Sequence, residues 1–346
     1  MNPAHAFALT LLESSLSAQA AGVVLELRGT LGEESCARLG RFDDLAADAR
    51  MRLRHLGEAV ALECAGLYVD FVTWQRATHA ARGLEPRVLE SALAGQRRVL
   101  SQGLPRAAFA TLEPFLAAGE ASLHQGPVAE SRATEGPDGA RVAELLAGAL
   151  TGKRAEVLAL ARRQVEELGE ERFVEVVLVG VLSELGHMWQ LGEIHVGEEH
   201  LVSRLVEDVL AQLSAWTPRA PARGRRVLIA TPSGDLHELG ARMVATRFER
   251  RGWEAFQLGA NVPAADLARS AQELAPEVVL LSVSQGLFVR AAAEAIAAVR
   301  AARPEAFVLV GGAPFRAHPE LARTVGADAM SARAGQAEEL ARAARP

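Results

Sequence analysis

The sequence predicts a multidomain chain, helical at first and then α/β. It has a helical amino-terminal domain, a four-helix bundle, and a doubly wound parallel-sheet (Rossmann-like) domain. Three observations predict it. From residue 225 onward, short apolar runs alternate with amphipathic stretches, the pattern of strands alternating with helices around a parallel sheet. Between residues 140 and 216 apolar residues recur at helical spacing, enough for four helices of bundle size. Within residues 1–125, segments 45–83 and 84–123 carry helical periodicity with breaks at Gly83 and Pro105. The expected domains are residues 1–125, 140–216 and 225–346.

In the first region, helical periodicity runs through residues 45–83 and 84–123. The segment Val23-Val24-Leu25-Glu26-Leu27 reads equally as a short strand or a helix tail. Residues 126–139, with Pro127, Ser131 and Pro137, form a linker to the bundle. Within the bundle the repeat is plain in Val142, Leu145, Leu146 and Leu150, and again in Val157, Leu160, Ala161 and Val165. Gly192 and Gly197 interrupt its last pair of helices. A second linker, rich in Pro and Arg, covers 218–226. Beyond it, strands are expected at 227–230, 255–258, 278–282, 307–310 and near 327–330. Helices are expected at 236–251, 264–274, 288–302, 320–325 and from 335 onward. Residues 258–263, Leu-Gly-Ala-Asn-Val-Pro, read as a strand-to-helix loop that includes Val262.

Composition narrows the function classes. The 346 residues are 49% hydrophobic, enough for sizeable cores. No uninterrupted apolar run approaches the ~20 residues of a membrane helix, and the first residues lack a signal-peptide pattern. No membrane association is therefore expected. Cys36 and Cys64 are the only cysteines, so a reducing cytoplasm is the expected location. With 37 basic and 43 acidic residues the net charge is −6, which disfavours a general nucleic-acid binder.

Three strand ends carry the chemistry. After the apolar run Val227–Ala230 comes Asp235-Leu236-His237-Glu238-Leu239-Gly240, an Asp-x-His-x-x-Gly motif between a strand and a helix. Ser282-Val283-Ser284 closes a second apolar strand, and Gly311-Gly312 follows a third. Singly these are ordinary: a histidine in a loop, a polar strand end, a tight Gly-Gly turn. In an open α/β sheet, however, ligands gather outside the carboxyl ends of the strands, so all three can converge on one crevice.

This spacing resembles the cobalamin-binding domain of methionine synthase, the mutases and the cobalamin-dependent photoreceptors. The resemblance implies that His237 ligates cobalt from below, displacing the cofactor's dimethylbenzimidazole base. Asp235 would hydrogen-bond the other ring nitrogen and strengthen the donor. The displaced nucleotide tail would lie beside the sheet, with Gly240 clearing its path. Ser282 and Ser284 would offer hydroxyls, and Gly311 and Gly312 would permit close backbone approach. Val262 would stand near the upper corrin edge.

Within the bundle, Trp189, nine residues, then Glu199-His200 is a second pattern. On one helix those positions would diverge. A turn at Gly192 and Gly197 would bring them to one end. A Trp in a helix is ordinarily core, and a Glu near a helix start suits the macrodipole. The pattern nonetheless resembles the cap of the cobalamin-dependent photoreceptors, where it shields the upper axial ligand. In their light-sensitive repressors a His follows the Trp. Here that position is Gln190, with His187 and His195 nearby.

Those repressors also begin with a winged helix-turn-helix of MerR type, and residues 1–125 show none. They are closer to the helical segments of relatives without a DNA reader. Some of these, the photocobilins, hold a bilin such as biliverdin beside the cobalamin. The stretch Tyr68–Arg76, with His79 and Arg82, offers aromatic and basic groups for such a pigment, with Cys64 on the same segment. An amphipathic helix packing its aromatics into a bundle explains the same residues. The resemblance thus implies a cytoplasmic photoreceptor binding adenosylcobalamin, homo-oligomeric (a dimer), acting on a protein partner and not directly on DNA. The rivals are a corrinoid methyl carrier of a methyltransferase system and a passive cobalamin sensor or carrier.

Overall fold

The computed structural model describes residues 2–32, 36, 44–126, 133–217, 219–222 and 224–344. Of the two expected linkers, residues 127–132, Pro218 and Arg223 lie outside the described residues. The chain forms two compact units, Met1–Ala129 and Glu130–Pro346.

The first unit contains α1 (Pro3–Ser14), α2 (Leu16–Leu31), α3 (Leu45–Ala61), α4 (Ala65–Ala81), α5 (Pro86–Gly103) and α6 (Arg106–Ser122). Asn2 and Asp44 cap α1 and α3, each accepting from backbone N–H groups of the first turn. The helix expected across 45–83 is broken at residues 62–64. There Glu63 takes a left-handed φ of 53° and the Cys64 amide turns back to the Ala59 carbonyl at 2.9 Å. Residues 23–27 are helical, inside α2. Ala20, Val23 and Leu27 are buried on one of its faces, and helical packing decides what the short apolar run left open.

The second unit begins with α7 (Gly139–Leu150), α8 (Arg154–Leu168), α9 (Glu170–Leu191) and α10 (Val196–Trp216). Residues Phe173–Leu178 of α9 form a π-helical turn. By length and composition α9 is apolar enough to cross a membrane. In the fold it is one of the bundle helices, with Phe173, Val177, Leu178, Val181 and Leu185 buried in the bundle core. The side chain of His195 caps α10, its Nδ1 accepting from the amides of Gly197 at 3.0 Å and Glu198 at 3.3 Å, while Glu198 reaches back to the His195 amide.

The α/β part follows as β1 (Arg226–Pro232), α11 (Leu239–Arg250), β2 (Glu254–Val262), α12 (Ala264–Leu274), β3 (Val278–Ser282), α13 (Val289–Ala302), β4 (Phe307–Gly311), α14 (Ala313–Ala317), α15 (Leu321–Thr324), β5 (Ala329–Ser331) and α16 (Ala334–Ala343). The five strands are parallel in the order β2-β1-β3-β4-β5. Strand order therefore reverses between β1 and β3, the switch point where such sheets bind ligands. One sheet face packs Val227, Ile229, Val278, Leu280 and Leu309 against Ala241, Ala245 and Phe248 of α11 and Ala337 and Ala341 of α16.

Two expectations shift. The helix after β1 starts at Leu239 rather than 236, so Asp235 and His237 stand on a free loop. Val262 is not in a loop: β2 runs through it, paired with Pro232 of β1, and the loop begins at Pro263. The β1–β2 register slips after Ile229 and again after Ala230, and Asn261 takes a left-handed φ of 55°. That irregularity carries β2 further than its apolar pattern suggests.

Candidate functional site

The loop after β1 is pinned from beneath. Thr231, fully buried, donates its hydroxyl to the Asp235 carbonyl at 2.6 Å and accepts the Asn261 amide at 3.0 Å. The Asn261 side-chain oxygen accepts from the Gly234 amide at 2.7 Å, and the Asn261 amide also reaches the Asp235 carbonyl at 3.0 Å. Neither Thr231 nor Asn261 stood out in the sequence. The left-handed backbone that Asn tolerates at residue 261 was the available signal.

Within that frame Asp235 is fully buried and both carboxylate oxygens are engaged. Ser284, just past β3, donates its amide to Oδ2 at 2.7 Å and its hydroxyl to Oδ1 at 2.8 Å. The His237 amide donates to Oδ1 at 3.1 Å, and His237 Nδ1 lies 3.1 Å from the same oxygen. Burial pushes the Asp235 carboxyl up, but the hydrogen bonds from His237 and Ser284 outweigh it and hold the group below the usual carboxylate range. His237 moves the other way. The Asp235 hydrogen bond raises its basicity against partial burial, and the charge of Glu199 adds to the rise. With Nδ1 turned to the carboxylate, Nε2 is left to ligate a metal, on a side chain 62% exposed.

Beside this loop lies a cavity of about 140 Å³. Gly240, Met243 and Val244 of α11, Leu280 and Ser282 of β3, Gly311, Gly312 and Ser331 line one side of it, and Val174, Glu175 and Val179 of α9 the other. A Cβ on Gly240 would stand 3.3 Å from the Ser282 hydroxyl, into this space. Gly312 has φ +113° and a Cβ there would fall 1.8 Å from the Val283 carbonyl, so only glycine fits. The walls are mainly apolar with a few polar groups, the surroundings that suit a planar heteroaromatic base. The residues present fit a corrinoid whose nucleotide tail is displaced.

Trp189 lies near the end of α9 and Glu199 and His200 in the first turns of α10, joined through Gly192 and the His195 cap. Trp189 and His200 are exposed. Glu199 accepts the Ser203 hydroxyl at 2.7 Å and lies 3.5 Å from His200 Nε2. Val262 lies outside both groupings, buried in β2.

The comparisons with known proteins agree with this geometry. Residues 225–343 match the model of the B12 binding domain, and residues 142–214 match a second B12 binding domain model. The HTH-type transcriptional repressor CarA of Myxococcus xanthus is 37% identical over 163 residues, 45% of this chain and 52% of that protein. The match thus spans about half the length of that relative. Dimethylamine corrinoid protein 1 of Methanosarcina acetivorans is 24% identical over 198 residues, 56% of this chain and 92% of that protein. The structure of the Methanosarcina barkeri monomethylamine corrinoid protein superposes with a TM-score of 0.50 at 16% identity, covering 57% of this chain and 95% of that one, a likeness of fold. The chain therefore carries a cobalamin-binding domain pair, bundle and Rossmann-like sheet, homologous to the CarA repressor and to the corrinoid proteins.

Proposed function

We propose that the chain is a cobalamin-dependent photoreceptor in which His237 is the lower cobalt ligand and the bundle caps the upper face. The observation that carries the reading is the buried Asp235, held by Ser284 and turned to His237 Nδ1, at the sheet's switch point. Adenosylcobalamin, when bound, supplies a cobalt–carbon bond that light cleaves.

The chain's own residues do the rest. Asp235 fixes the imidazole's orientation and tautomer, so that Nε2 faces the metal. Gly240, Ser282, Gly311 and Gly312 accommodate the displaced tail. Trp189 would cover the upper ligand, and Glu199 would offer its carboxylate to that ligand's hydroxyls with His200 beside it. With that ligand gone, Trp189, Glu199 and His200 would lose what they pack against and the bundle would be able to shift against the sheet, a two-state element for signalling. His187 and His195 are the candidates to substitute for the histidine absent at Gln190, His195 through Nε2, since its Nδ1 caps α10.

The test is colour. The protein is reconstituted with adenosylcobalamin, and its spectrum in darkness is compared with that after green light. A light-driven change is expected, and an unchanged spectrum would argue against photoreception. Methyl transfer from the loaded chain to a partner methyltransferase would favour the methyl-carrier reading, to which the dimethylamine corrinoid relatives lend support. Binding with neither response would leave a passive carrier or sensor.

The proposal extends to a bilin, such as biliverdin, in the helical first unit. His55, Phe71 and Trp74 form a continuous stack, with ring centroids 3.8 and 6.0 Å apart, and Trp74 at its end is 39% exposed. That platform favours a flat pigment. Two residues of the expected slot are otherwise engaged. Tyr68 is fully buried and accepts from Gln96 at 3.0 Å, and Arg76 donates to the carbonyls of Ser122, Leu123, Gln125 and Gly126. Trp74, whose ring stacks on Phe71, and His79 and Arg82 at the end of α4 are the residues assigned to the pigment. Red absorption that survives removal of cobalamin and is lost on deleting residues 1–125 is the expected signature. The same reading has the chain act as a cytoplasmic homodimer on a protein partner. Tight, sequence-specific DNA binding at physiological salt would overturn that output.

A further inference from the structure

The carboxylate of Glu175 belongs to neither the β1 loop nor the upper cap, yet it joins the two domains at the lower cavity. Glu175 stands on the π turn of α9 and accepts a hydrogen bond from the Gly335 amide, in the first turn of α16. The first amides of a helix have no partner within it, and the side chain at the α16 N-cap, Arg333, makes no capping bond. A carboxylate there also meets the positive end of the helix dipole. The start of α16, a sheet-domain helix, is thus capped from the bundle.

The π turn explains why that carboxylate arrives where it does. Residues five apart on an α-helix diverge by about 140°. In a π turn, with i to i+5 bonding, they come back to the same side. Val174 and Val179 are five apart across Phe173–Leu178, and both line the cavity with Glu175 between them. Gly335 completes the fit. A Cβ at that position would lie 2.8 Å from Glu175 Oε1.

We propose that Glu175 is a positioning residue that holds the α9 wall over the lower cavity, so that preference for a corrinoid with a nucleotide tail depends on how the bundle is seated. This rests on the reading that cobalamin binds with its tail in that cavity. Glu175 stands in the cavity lining itself, and its bond to the Gly335 amide anchors the wall formed with Val174 and Val179. Without the anchor the cavity opens on the α9 side and the tail's ring loses apolar burial. The corrin ring would be held at His237, which is not among the residues lining that cavity, and should be indifferent to it.

The experiment titrates the full chain with cobalamin and with cobinamide, which has the corrin ring but lacks the nucleotide tail. In Glu175→Ala, cobalamin affinity should fall about tenfold, the scale of one lost hydrogen bond to a charged group. Cobinamide affinity should stay within about twofold on the same grounds. Glu175→Gln, which keeps an acceptor oxygen, should recover most of the loss. Gly335→Ala displaces the carboxylate while favouring the helix, and should reproduce the Glu175→Ala pattern without lowering the melting temperature. Equal losses for both corrinoids, or unchanged cobalamin affinity in both Glu175→Ala and Gly335→Ala, would overturn the proposal. Failure of the wild-type chain to bind either corrinoid would instead remove the cobalamin reading, and this proposal with it.

Discussion

Below the proposed corrin plane, Asp235 is fully buried, both its oxygens are occupied by Ser284 and His237, and the loop that carries it is tied to Thr231 and Asn261. Above that plane, Trp189 and His200 are exposed, and the hydrogen bond of Glu199 runs to Ser203 on its own helix. One half is preorganised by a network that spans three strand ends, and the other is a surface presented by two helix termini. A ligand to a metal has to be aimed, because affinity depends on where Nε2 points. A cap that must leave cannot be bound by the same kind of network. The difference in construction therefore mirrors the difference in the work proposed for each half.

The sharpest way to break this comparison is to remove the ligand. His237→Ala should weaken cobalamin binding by more than about 100-fold, beyond the range of losses from an outer partner, or return the cofactor to a base-off spectrum. An unchanged visible spectrum would deny His237 its role. Asp235→Asn should cost about 10–100-fold in affinity, read by equilibrium titration. A loss smaller than that of Trp189→Ala would mean that the lower half is not the rigid one. Thr231→Val probes the frame one layer further out. It removes a buried hydroxyl that serves both the Asp235 carbonyl and the Asn261 amide, so stability should fall by about 1–3 kcal/mol in chemical denaturation. Cobalamin affinity should fall with it, by less than in Asp235→Asn. On the upper side, Trp189→Ala and Glu199→Ala should change affinity least, by less than about tenfold, while altering the photolysis rate and dark stability of the upper ligand. Ordinary photolysis and ordinary affinity in both variants would return these residues to a purely structural part.

The sequence exposes some of this architecture well and some poorly. The strands at 278–282 and 307–311 were legible because parallel strands buried on both faces are continuous apolar runs. Asp235 and His237 were legible as polar residues directly after such a run. The break at Glu63 was not, because a left-handed φ at a glutamate leaves no compositional trace. The extension of β2 through Val262 depends on a register slip, which is a property of the pair of strands and of neither alone. Glu175 was hidden for a similar reason. On an α-helix it would be one more solvated acid, and only the π turn and a contact with Gly335, far along the chain, give it a position. In the amino-terminal unit, the residues around Tyr68 read equally as a pigment slot or as aromatics packed into a bundle, and for Tyr68 the structure takes the second course, burying it against Gln96.

Met243 has a consequence for how the molecule comes apart. It lies on α11 of the sheet domain, yet its side chain is buried in the core of the bundle, and the same residue lines the lower cavity. A side chain that a sheet-domain helix inserts into the bundle core links the melting of the two, since neither can come away without exposing it. The second unit should accordingly unfold in one cooperative step by calorimetry, with van't Hoff and calorimetric enthalpies in agreement. Met243→Ala, by leaving a void in the bundle core where α11 meets it, should split that step in two.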